Sequence, residues 1–69
     1  MTEQEKAILR MERRWWRYRG NKEQAIRDEL GLSPVRYYQL LVALIQTETA
    51  LAADPVLVNR LRRLSRRAG

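Results

Sequence analysis

The sequence predicts an all-α fold: a three-helix core followed by a basic C-terminal helix, in one domain spanning residues 1–69. Three observations carry this expectation. Apolar residues recur at spacings of three and four, and no stretch alternates apolar and polar residues over a strand length. Gly20, Gly31, Pro34 and Pro55 stand where helices stop and restart. Finally, 69 residues leave room for one small domain, of a size that removes only about 60% of its unfolded surface from water.

The first helix is expected over residues 2–19. Thr2 is its N-cap, and Glu5, three residues on, completes a capping box. Ile8, Met11, Trp15 and Tyr18 form one apolar stripe, widened by Leu9 and Trp16. Trp15 is therefore assigned to the core, and Trp16 to the core edge or to a partner. Gly20 is the expected left-handed C-terminal cap, with Arg17 and Arg19 complementing the dipole in the last turn. The second helix, over residues 22–30, takes Asn21 as its cap and turns Ala25, Ile26 and Leu30 inward. A third is expected over residues 33–46, with Ser33 as N-cap and Pro34 at the first helical position. Tyr37, Leu40, Leu41, Leu44 and Ile45 give it a broad apolar face, and Arg36, Gln39 and Ala43 an opposite one. Residues 47–53 are alanine-rich and suggest a short extra turn. Asp54-Pro55 restarts the chain into a helix over residues 55–67. There Val58, Leu61 and Leu64 or Ser65, with Leu57 beside them, point inward. These leucines close the core or serve a two-fold contact, so the expected state is a monomer or weak homodimer.

Helices two and three form one unit. Gly31 supplies the positive φ that turns the chain sharply. Ile26, Leu30, Leu32, Tyr37 and Leu40 then meet inside the angle, and Ser33 satisfies the free amides beyond it. This pattern is that of a helix-turn-helix, whose second helix can enter a DNA major groove. The small residue usual at the closest helix approach is replaced by Arg27, with Ala25 available in a shifted register.

Several segments together resemble a known family. They are Glu12-Arg13-Arg14-Trp15-Trp16, Lys22-Glu23-Gln24-Ala25-Ile26-Arg27, Arg36-Tyr37-Tyr38-Gln39, Asp54-Pro55 and Arg60-Leu61-Arg62-Arg63-Leu64. The sequence is similar over residues 7–63 to a small family of actinobacteria and their bacteriophages. That family is filed as a domain of unknown function, and its phage members are labelled helix-turn-helix DNA-binding proteins. The resemblance implies the fold and a DNA partner, and supplies no target and no catalytic residues.

Charge points the same way. There are 14 Lys and Arg against 8 Asp and Glu, a net charge of +6. Such an excess favours polyanionic partners. It is uneven: +3 over residues 1–19, −1 over 20–32, 0 over 33–53 and +4 over 54–69. The expected reading helix is thus neutral, between flanks suited to phosphates. Arg36 and Gln39 have the chemistry for guanine and adenine edges. Val35 suits a thymine methyl, and Ser33 a base or phosphate when not occupied as a cap. Tyr38 is the surface tyrosine of its pair, and its hydroxyl is suited to donate a hydrogen bond to a phosphate. The remaining phosphate candidates are Arg13, Arg14, Arg17 and Arg19, then Arg60, Arg62, Arg63, Arg66 and Arg67.

The sequence holds no Cys and no His. This excludes disulfides, thiolate or imidazole metal ligands, a Cys nucleophile and a His general base. Most of the carboxylates sit at caps or beside arginines, and with no paired acid–base constellation neither enzyme chemistry nor a cofactor is expected. The longest apolar run, Leu40 to Ile45, is far short of the ~18 residues of a membrane span. The N-terminus is polar and acidic, unlike a signal peptide. The resulting expectation is a cytoplasmic, nucleoid-associated regulator of transcription that binds double-stranded DNA. The alternative is a module that binds a host protein, such as the transcription machinery, through Trp16, Tyr38 and the C-terminal helix. Membrane-surface association by that helix is the weakest reading, because its apolar side is narrow.

Overall fold

The computed structural model describes the backbone of residues 1–68 and the side chains of residues 1–65. Among the described residues it is all-helical. The helices are α1 (Glu3–Arg13), α2 (Arg19–Ala25), α3 (Pro34–Leu44), α4 (Glu48–Ala53) and α5 (Pro55–Ala68), with a π-wound turn, Ile26–Leu30, continuing α2.

Most helix starts follow the local chemistry of the sequence. The Thr2 hydroxyl accepts from the Glu5 amide at 3.1 Å, and the Glu5 carboxylate accepts from the Thr2 amide at 2.8 Å. Ser33 accepts from the Arg36 amide at 3.1 Å ahead of Pro34. Asp54 accepts from the Leu57 amide at 3.2 Å ahead of Pro55. Thr47 accepts from the Ala50 amide at 3.1 Å, so the alanine-rich segment forms a helix of its own.

The first helix is shorter than its apolar stripe predicts. It ends at Arg13, and Arg14 is extended (φ −76°, ψ 143°). A helix over residues 2–19 would be roughly 27 Å long, the full width of a molecule measuring 28 × 27 × 20 Å. Instead Trp16 folds back, and its indole N–H donates to the Met11 carbonyl at 3.3 Å. Trp15 is 82% exposed and Tyr18 60% exposed, so neither belongs to the core. Gly20 is not a cap but lies inside α2, and Tyr18, not Asn21, is the residue at that helix's N-cap. Arg17 and Arg19 accordingly do not cap α1.

The core is formed by Ile8, Leu9 and Met11 of α1, Ile26, Tyr37, Leu41 and Leu44 of α3, Ile45, Ala50 of α4, and Leu57 and Val58 of α5. Leu61 packs against it, while Leu64 is 53% exposed. The inward face of α5 therefore continues to the half-buried Ser65 and not to Leu64. Gly31 closes the π-wound turn with φ +66°. In that turn Ile26 is buried, Ala25 and Leu30 pack against the core, and Arg27 faces solvent. The wider winding adds a residue to the turn, which keeps the large Arg27 side chain out of the helix–helix contact. Across the core, the Tyr37 hydroxyl donates to the Glu12 carboxylate, which also pairs with Lys22 at 2.7 Å.

Candidate nucleic-acid interface

The outer face of α3 is uncovered. Its first turns present Ser33, Val35, Arg36 and Gln39 to solvent, followed by Val42 and Ala43. Val35 is 70% exposed. Arg36 is the single charged residue of this helix. The Ser33 hydroxyl is occupied as the cap, yet remains on the surface and keeps one acceptor position and its proton.

Tyr38 is only half-exposed. Its ring meets Tyr37 edge-on at 5.0 Å, and the Lys22 ammonium lies 5.4 Å from its centre. This places Tyr38 on the side of α3 facing α2, at the edge of the Val35–Gln39 surface. Burial holds the Tyr37 hydroxyl far above the ordinary tyrosine range, aided by its bond to the Glu12 carboxylate. Tyr37 is thus a neutral core donor, as its place in the apolar stripe predicts.

The two arginine clusters divide into engaged and unengaged members. Arg13 bonds Asp54 at 2.8 Å, joining the end of α1 to the start of α5. That bond, together with the Leu57 amide and the nearby Arg60 charge, holds the Asp54 carboxyl below the usual carboxylate range. Arg14 bonds Glu29 at 2.7 Å and lies 4.4 Å over the Trp16 ring. Arg19 stands 3.5 Å from Glu23. Arg62 is half-buried and donates to the Ile45 carbonyl at the end of α3. By contrast, Arg17 is exposed beside the Tyr18 ring, and Arg60 and Arg63 are exposed on α5. The side chains of Arg66 and Arg67 lie outside the described residues.

Pairing decides where the surplus charge goes. Glu3, Glu12, Glu23, Glu29 and Asp54 are each matched to a cation. Arg10, Arg17, Arg27, Arg36, Arg60, Arg62 and Arg63 form no salt bridge among the described residues. Arg10 and Arg27 were not among the phosphate candidates of the sequence. Their signal was present in it, because both lie on the polar sides of their helices. The exposure of Trp15 and Tyr18 also went unread. Three rings among four arginines between Arg13 and Arg19 is a density that one helix face cannot bury.

No helix among the described residues is long and apolar enough to cross a membrane. No curated protein and no solved structure matches the chain. A family of proteins of unknown function, DUF3263, matches residues 1–68, and the chain belongs to that family.

Proposed function

We propose that α2, the π-wound turn and α3 form a helix-turn-helix that binds double-stranded DNA. The observation that carries this reading is the uncovered face of α3, with Val35, Arg36 and Gln39 free on a helix bearing one charge. Arg36 and Gln39 read base edges, Val35 meets a thymine methyl, and Ser33 bonds a base or nearby phosphate through its spare capacity. Arg17, Arg60 and Arg63, with Arg10 and Arg27, supply cations that form no salt bridge among the described residues. Arg13, Arg14 and Arg19 reach phosphate only by sharing or leaving their carboxylates, and Arg62 only by leaving Ile45. Tyr38 contributes at the edge of α3, and Arg66 and Arg67 extend the basic helix by sequence.

In this reading the protein regulates transcription in the cytoplasm, at the nucleoid, without catalysis or cofactor. The resemblance to helix-turn-helix proteins of actinobacteria and their phages agrees with it. A monomer would read one site, and a weak homodimer two half-sites ~34 Å apart. Selection from a random duplex library tests DNA binding, specificity and symmetry together. Arg36→Ala should relax base preference at one position. Arg60→Ala with Arg63→Ala should weaken all duplexes alike and lower the salt slope by ~0.9 per lost phosphate contact. Equal loss from both changes, with no sequence dependence, contradicts this division of labour.

A protein partner is the second reading. It is favoured by Val56 and Leu64, 78% and 53% exposed on α5. Trp16 and Tyr38, the other residues expected to serve it, pack against the core. Failure to bind any duplex at ~0.1 M salt, where the Debye length is still ~10 Å, would favour this reading.

A further inference from the structure

The segment between α1 and α2 is built for more than connection. Arg13 to Arg19 reads Arg-Arg-Trp-Trp-Arg-Tyr-Arg. The fold uses one of its three rings: Trp16 packs on the core and donates to the Met11 carbonyl. Its neighbours fix the start of the segment, since Arg14 is bonded to Glu29 and stacked on Trp16, and Arg13 is bonded to Asp54. Arg14 lies over the Trp16 ring, and Trp15 between them in sequence is left 82% exposed. A tryptophan held out of the core forgoes one of the largest apolar burials a side chain offers. Close to it in sequence are exposed Arg17, exposed Tyr18 and Arg19, whose side chain is 81% exposed even while paired with Glu23.

An accessible ring face among arginines has a defined chemical complement. It matches a planar, unpaired base joined to phosphates. We infer that this connector binds single-stranded nucleic acid, with Trp15 stacking on a base and Arg17 and Arg19 holding the flanking phosphates. A duplex hides its base faces inside the stack, so this ligand is distinct from the one assigned to α3. An anionic lipid surface shares the attraction to arginine but wants a continuous apolar face, and here the inward turn of Trp16 interrupts it. The inference extends the nucleic-acid reading above, and the two can fail separately.

The test compares an oligothymidylate of about 16 nucleotides, near the upper site size of a single-strand module, with a duplex selected by the intact protein, or a random-sequence duplex if selection yields none. Binding of the oligothymidylate should quench tryptophan emission in the unaltered protein. Trp15→Ala should lower its affinity about tenfold, the scale of one base stack, and leave duplex affinity unchanged. Trp15→Phe should restore most of the loss, and helical circular dichroism should be unaltered in both. Arg36→Ala should show the reverse pattern, altering duplex recognition and sparing the single strand. The inference is overturned if the oligothymidylate does not bind, if Trp15→Ala leaves its affinity intact, or if it weakens both probes equally. It is also overturned if Trp15 governs sedimentation with phosphatidylserine vesicles and not oligothymidylate binding, which would assign the connector to a lipid surface.

Discussion

The Glu12 carboxylate accepts from the Tyr37 hydroxyl of α3 and pairs with Lys22 of α2, so one α1 side chain joins three helices. Its side chain is 7% exposed and that of Lys22 is 16% exposed. At that depth solvent screens little, and a missing partner leaves charge unsatisfied. Tyr37→Phe keeps the ring and removes one bond to an ionised group, so it should cost about 2 kcal/mol in denaturant unfolding. A loss below about 0.5 kcal/mol, the low end for a neutral bond, would show that Lys22 alone satisfies Glu12. Tyr37 was legible as core from its spacing with Leu40, Leu41 and Leu44. Its bond to Glu12 was not, because nothing local links residues 25 positions apart.

Gly20 and Gly31 look alike as punctuation but have opposite roles. Gly31 sits at φ +66° with nothing within 4 Å of a built-on Cβ. Gly31→Ala meets no clash and pays only for the left-handed backbone, about 1 kcal/mol. Gly20 lies in α2 without positive φ, also with open space around it. Gly20→Ala should therefore stabilise, by ~0.5–1 kcal/mol. Thermal unfolding of the two variants should shift in opposite directions. The caps at Thr2, Ser33 and Asp54 were legible because each rests on a side chain bonding an amide three residues away. The end of α1 was not. Trp15 and Tyr18 continue its stripe in helical register, and Gly20 imitates a terminus. What decides the matter is tertiary: Trp16 reaches Met11, and Arg14 reaches Glu29. The π winding of Ile26–Leu30 left no local signal either. On α3, the exposed Val35, Arg36 and Gln39 follow from the helix period once Tyr37 is fixed inward. Which arginines are already engaged depends on carboxylates distant in sequence.

For the whole molecule, acid should be the weak side. The Thr2 amide and hydroxyl hold the Glu5 carboxyl below its ordinary range, and Arg13 does the same for Asp54. Both groups bind protons less readily when folded than when unfolded. The stability they contribute is complete above the ordinary range near pH ~4 and is lost as pH falls through the lower folded values. Below that range the 14 Lys and Arg are also unopposed, and their repulsion adds to the loss. Denaturant midpoints should fall as pH drops below about 4, and Asp54→Asn should flatten that slope. An unchanged slope in this variant would mean that the Arg13–Asp54 bond contributes nothing to acid sensitivity.

The uncapped start of α2 gives this small structure an uneven lifetime. Side-chain oxygens secure the starts of α1, α3, α4 and α5, whereas Tyr18 offers α2 none. Opening free energy is lowest where the backbone bonds are exposed and unsupported. Amide hydrogens near Arg19 and Gly20 should exchange with solvent long before those around Leu41 and Val58. The aromatic connector thus leads into the one α-helix start among the described residues that no side-chain oxygen secures.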